Sequence, residues 1–135
     1  MKKVLIVVFV VISLILVARL FRSSMYSPQY YKAVATNEAN EAFSALGSLE
    51  ASLVRYMLDN NGDCSAAALN SLDIDIPPSQ NYSFAIDQKN CAVTATRLTG
   101  KASGTVFTKY AYGDKISCSG DNALCAAAEA RNLRN

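Results

Sequence analysis

The chain has 135 residues, a formal charge of +2, 51% hydrophobic residues, and neither histidine nor tryptophan. That length allows one modest domain plus a terminal extension, and the absence of histidine removes the usual carrier of general-base, triad and metal chemistry. Four of the thirteen basic residues flank one apolar run, so the body from Ser23 onward holds nine Lys/Arg against eleven Asp/Glu, a balance of −2 that argues against a nucleic-acid partner.

The first element is that run, Val4 to Ala18, with Lys2 and Lys3 before it and Arg19 and Arg22 after it. A helix apolar on every side is suited to lipid or to an equally dry protein bundle. Its fifteen residues rise about 22 Å, against roughly 30 Å of hydrocarbon. Snorkelling of the flanking cations, with Leu20 and Phe21 extending the apolar face, makes a span feasible. The competing reading is a cleaved secretory signal. Its weakness is the exit, where Leu16-Val17-Ala18 runs into Arg19 and offers a poor cleavage site. A membrane-anchored chain with an extracytoplasmic body is therefore expected. Val4, Val7, Val8, Val11, Ser13, Leu14 and Ile15 are the candidate membrane or filament-core packing residues.

Pro28 follows and predicts a kink around residues 24–28. Beyond it, Gln29 to about Asp59 reads as one amphipathic helix. Ala35, Ala39, Ala42, Leu46, Leu49, Leu53 and Tyr56 fall at alternating spacings of four and three, a single helical stripe. Glu38, Glu41 and Arg55 lie off it. The alanine end, with Ala33 and Ala45, is expected to admit neighbouring helices closely, and the leucine end to roof a sheet. Asn60-Asn61-Gly62 provides the helix stop.

From Asp63 the texture changes. A short helical turn at Ala66–Leu69 and a connector, Leu72-Asp-Ile-Asp-Ile-Pro-Pro, lead into three runs of period two. These are Tyr82 to Asp87, Cys91 to Thr96 and Thr105 to Tyr112, with a short fourth strand near Lys115–Ser117. Short connections predict an antiparallel meander. The tail, Ala123 to Arg131, is either a short helix or a frayed end. Four cysteines, with no CxxC pair, suit an oxidising compartment. Three pairings are possible. Cys118 and Cys125 are nearest in sequence and bracket a Ser-Gly-Asp-Asn turn, which leaves Cys64 with Cys91.

Several strings, in this order, resemble type IV pilins and the pseudopilins of type II secretion. They are Pro28-Gln29-Tyr30 after the apolar run, Glu41 to Gly47, Arg55 to Gly62, the Leu72 to Pro77 connector with Tyr82-Ser83-Phe84, and the Cys118–Cys125 loop. The resemblance covers most of the chain. It implies an α+β pilin-like fold, in which a long N-terminal helix packs on a small antiparallel sheet of three to four strands. It also implies a structural subunit of an extracellular or periplasmic filament, a type IV pilus or pseudopilus, whose partners are copies of itself or relatives, with the inner membrane as its seat before assembly. The chain departs from the family where processing and register are set. Alignment on Pro28 puts Ile6 at the small cleavage-site residue and Val11 at the glutamate, leaving Ser13 as the run's polar group.

Other chemistry is set aside. Asp73 and Asp75 read as solvated acids and Asp114 and Asp121 as turn-forming acids rather than calcium ligands. Asn81-Tyr82-Ser83 fits a glycan acceptor pattern, and Tyr26, Tyr30 and Tyr31 fit an interfacial aromatic belt. No catalytic, cofactor or metal site is expected. The organisation read from sequence is an apolar helix at 1–27, its amphipathic continuation at 28–61, and a disulfide-stapled sheet at 62–135. The alternative is a single-span anchored or secreted binding module that does not polymerise.

Overall fold

The computed structural model describes residues 11–19 and 28–134. The chain falls into two compact units, residues 1–34 and 35–135. In the first, residues 11–19 are helical. Of the kink expected at 24–28, residues 24–27 lie outside the described residues, and the long helix α1 is described from Pro28 to Asp59.

The exit of α1 follows from the residues there. Asn61 and Gly62 both adopt positive φ, 56° and 84°, and the Gly62 N–H turns back to the Met57 carbonyl at 2.7 Å. Asparagine and glycine tolerate this left-handed conformation best. Asn60 adds a side-chain bond to the Tyr56 carbonyl at 2.7 Å.

The second unit is α+β. Strands β1 (Tyr82–Asp87), β2 (Ala92–Arg97), β3 (Val106–Tyr110) and β4 (Ile116–Ser119) form one antiparallel sheet in the order β1-β2-β3-β4. A second helix, α2 (Asn122–Asn132), follows. Of the two readings of the tail, helix is correct. Asp121 supplies the reason by accepting from the N–H groups of Ala123 and Leu124 as its N-cap.

Register pairs Tyr82 with Arg97, Phe84 with Ala95, and Ala95 with Phe107. Period-two alternation puts these residues on one face. Tyr82, Val93, Ala95 and Phe107 are buried there in one core with Phe43, Leu46, Leu49 and Leu53 of α1. Phe43 and Phe107 meet edge to face, centroids 5.1 Å apart. Each fully buried leucine contributes about 1.5–3 kcal/mol of transfer free energy, so this contact is the main stabilising term of the body.

The helix buries more than the single stripe. Phe43, Ser52 and Met57 join it, while Tyr56 is only partly buried, because a core-facing helix presents a band wider than one row. Cys91 is not the first residue of its strand. It sits in the turn at φ 48°, and Asp87 closes that turn by accepting from the N–H groups of Lys89 and Asn90. The turn of helix expected at Ala66–Leu69 lies later, as a 3-10 turn at Leu69–Ser71.

Two disulfides fasten the body. Cys64 joins Cys91 and Cys118 joins Cys125, with Cα separations of 5.6 and 5.3 Å. The first ties the segment after α1 to the β1–β2 turn; the second ties β4 to α2.

Candidate assembly site

The apolar candidates divide into two groups. Val4, Val7 and Val8 lie outside the described residues. Val11, Ser13, Leu14 and Ile15 lie on the 11–19 helix, which is exposed on every side, with Leu14 at 64%. Apolar side chains exposed on every side of a helix gain transfer free energy on association or in lipid. Among the described residues no helix is long and apolar enough to cross a membrane, and the part of the run before Val11 lies outside them.

The alanine end of the stripe needs correction as a neighbour-facing surface. Ala35, Ala39 and Ala42 are buried in the body's own core. Ala33 is exposed and Ala45 partly so. These small residues make room for the unit's own side chains rather than for other helices. Tyr30 and Tyr31 are exposed, their rings edge to face at 6.4 Å.

Polar ties fix α1 to the rest of the body. Arg97, at a core-facing position of β2, is 7% exposed and pairs with Glu38 at 3.2 Å. Its guanidinium stands 5.1 Å from the Tyr82 ring centroid, and burial pushes the Tyr82 hydroxyl's pKa up. Glu50 pairs with Lys109 at 3.5 Å and accepts from the Tyr112 N–H. Asp73, read as a solvated acid, accepts from Arg55 Nε and Nη2 at 2.8 and 2.9 Å and from the Ser52 hydroxyl. Those bonds hold its carboxyl well below the usual range, at about 2. Glu41 accepts from Ser79 Oγ and Asn81 Nδ2.

Arg97 could have been noticed in the sequence, because it continues the inward series Val93, Ala95, Arg97. The Arg55–Asp73 contact spans 18 residues and left no local signal. Among the described residues no group of three His, Cys, Asp or Glu side chains is placed to hold a metal ion.

The sheet has two unlike edges. On β4, the Ile116 N–H donates to Asn132 Oδ1 and the Ile116 carbonyl accepts from Asn132 Nδ2, both at 2.9 Å. One side chain of α2 thus takes the place of a neighbouring strand at Ile116. On β1, Asn81 accepts from the Leu98 N–H, so Ser83, Ala85 and Asp87 bond to β2 and Tyr82, Phe84 and Ile86 turn their main-chain groups away from it. The Tyr82 N–H reaches Ser79 Oγ at 3.0 Å. The N–H groups of Phe84 and Ile86 and the carbonyls of Tyr82, Phe84 and Ile86 have no partner among the described residues.

No family model, no curated protein and no solved structure matches this chain.

Proposed function

We propose that the chain is a structural, pilin-like subunit that assembles through its apolar N-terminal helix into an extracellular or periplasmic filament. The observation that carries this reading is the 11–19 helix, apolar and exposed on every side. An apolar helix exposed on every side is suited to an environment of lipid or of neighbouring apolar helices. The helix seats the subunit in a membrane before assembly, and neighbouring helices replace lipid when subunits associate. Van der Waals fit, rather than a hydrophobic gain, drives that exchange. The two disulfides suit a body placed where thiols are oxidised. The order of pilin-like strings from Pro28 to Cys125 supports the same reading.

The test is to charge the helix and count filaments. Val11→Lys or Leu14→Arg is expected to abolish filaments in electron micrographs of sheared cell material, while disulfide formation and circular dichroism of the body stay unchanged. Undiminished filament yield in either variant overturns the reading. So does intact mass spectrometry of a mature chain that begins beyond Ala18, which favours the secreted binding module.

A further inference from the structure

The two edges of the sheet are treated unequally, and the difference bears on partners. An edge strand with open main-chain groups pairs readily with another chain, and folds usually blunt it. Here Asn132 blunts β4 at Ile116, while β1 leaves the N–H and carbonyl of both Phe84 and Ile86 without a partner among the described residues. Beside this edge lie two grooves that share Phe84. One, of about 410 Å³, is lined by Glu41, Asp75, Ile76 and Pro77 among others. The second, of about 380 Å³, is lined by Ala67, Leu69 and Ile86 among others. No lysine or arginine lines either groove, and the Asp75 carboxylate makes no hydrogen bond or ion pair among the described residues.

We propose that the free edge of β1 is a docking site for an extended peptide segment of another protein, which adds as a fifth strand and carries a lysine or arginine. The main chain of the segment supplies partners for the N–H groups and carbonyls of Phe84 and Ile86, as in strand-addition complexes. Alternate side chains of an added strand lie roughly 7 Å apart on one face. One of them enters the groove beside Ile86, where Ala67, Leu69 and Ile86 offer apolar wall between Asn70 and Gln88, and another enters the groove that holds Glu41 and Asp75. Acidic walls without a cation select a basic side chain there. A second copy of this chain is a poorer occupant, because a two-fold pairing of β1 with itself gathers Glu41, Asp75 and Asp87 of both copies along one strip. The proposal does not rest on the filament reading.

The test uses the full chain in detergent micelles and a capped peptide, Thr-Val-Thr-Lys-Thr-Val-Thr, which reads the same in both directions and so leaves strand polarity free. At about millimolar peptide, amide hydrogen exchange at Phe84 and Ile86 is expected to slow by tenfold or more. A peptide with alternate amides N-methylated is expected to give no slowing, since it lacks the donors of a strand. Replacing the peptide lysine by glutamate is expected to weaken binding about threefold, the scale of an exposed ion pair, and Asp75→Asn is expected to narrow that preference. Unchanged exchange at Phe84 and Ile86 overturns the proposal, as does equal binding of the N-methylated peptide. Slowing that appears without peptide and grows with protein concentration overturns it in favour of a second copy.

Discussion

Arg97 Nη2 lies 3.2 Å from Glu38 Oε2, joining a side chain that is 7% exposed on β2 to one that is 41% exposed on α1. The two ends of this pair are therefore unequal. If Glu38 is lost, a buried guanidinium is left with the Thr99 carbonyl, the Tyr82 ring and an Nη1 that already lacks a partner. If Arg97 is lost, Glu38 is rehydrated at small cost. Removing one partner of a fully buried pair costs about 3–5 kcal/mol; partial exposure of Glu38 reduces this. Glu38→Gln is expected to lower unfolding free energy by about 1–2 kcal/mol, and Arg97→Met by less. Urea unfolding of the two variants checks the order, and a larger loss for Arg97→Met refutes it.

Asp73 gives the body a measurable acid response. Arg55 and Ser52 together hold its carboxyl at about 2 in the folded chain, against about 3.9 for an aspartate in an unfolded chain. A depressed folded pKa means that the unfolded chain takes up the proton first as pH falls. The stabilisation is therefore complete above about pH 4 and lost as pH falls towards about 2. Asp73 and Arg55 are both largely exposed, so the effect is small and screened by salt. Asp73→Asn is expected to flatten the fall in urea midpoint across that window and to leave the midpoint near neutral pH only slightly reduced. An unaltered acid slope in the variant rules out Asp73 as its source.

The cysteine pairs are expected to differ in their contribution. The Cys64–Cys91 bridge closes 27 residues and the Cys118–Cys125 bridge only 7. Loop-closure entropy then assigns about 3.5 kcal/mol to the first and about 2.5 kcal/mol to the second. Paired serine substitutions at each bridge, followed by thermal unfolding, check the order. Equal losses show that native-state packing around the bridges, rather than chain entropy, sets their contribution.

The elements that sequence revealed are those set by local pattern. The leucine half of α1 repeats at helical spacing, β1 alternates cleanly, and Asn60-Asn61-Gly62 carries its own stop. Each depends on neighbours within a few residues. What sequence concealed depends on distant partners. Ala35, Ala39 and Ala42 have the same small side chains whether they admit another helix or their own core. Asp73 is solvated, as its position suggests, but its pairing with Arg55, 18 residues away, leaves no mark in the sequence. Cys91 continues an alternating run, and only the Asp87-capped turn shows that the strand begins one residue later. The open edge of β1 has no signature in its side chains, since it consists of main-chain groups that any residue carries. The apolar run is the clearest single pattern in the sequence, because a continuous stretch of apolar residues needs no long-range information to be recognised.

Gly120 offers a sharp test of how tightly β4 and α2 are seated. Its φ of +135° is one that L side chains rarely adopt, and an added Cβ would stand 2.7 Å from both Cα and Oγ1 of Thr105. Thr105 is buried, and its Oγ1 accepts from the Asp121 N–H at 3.0 Å. Asp121 in turn caps α2 through Ala123 and Leu124. A methyl group at residue 120 must therefore displace backbone and loosen the cap as well. Gly120→Ala is expected to destabilise the body by about 2–4 kcal/mol, combining backbone strain with part of a helix cap. Gly104→Ala provides the contrast, because Gly104 also has positive φ, +86°, but open space around the new methyl. There only the conformational cost applies, about 1 kcal/mol. Thermal unfolding of the two variants separates the contributions: equal shifts mean that the Thr105 contact relaxes freely, and a shift at least twice as large for Gly120→Ala means that the seat is rigid.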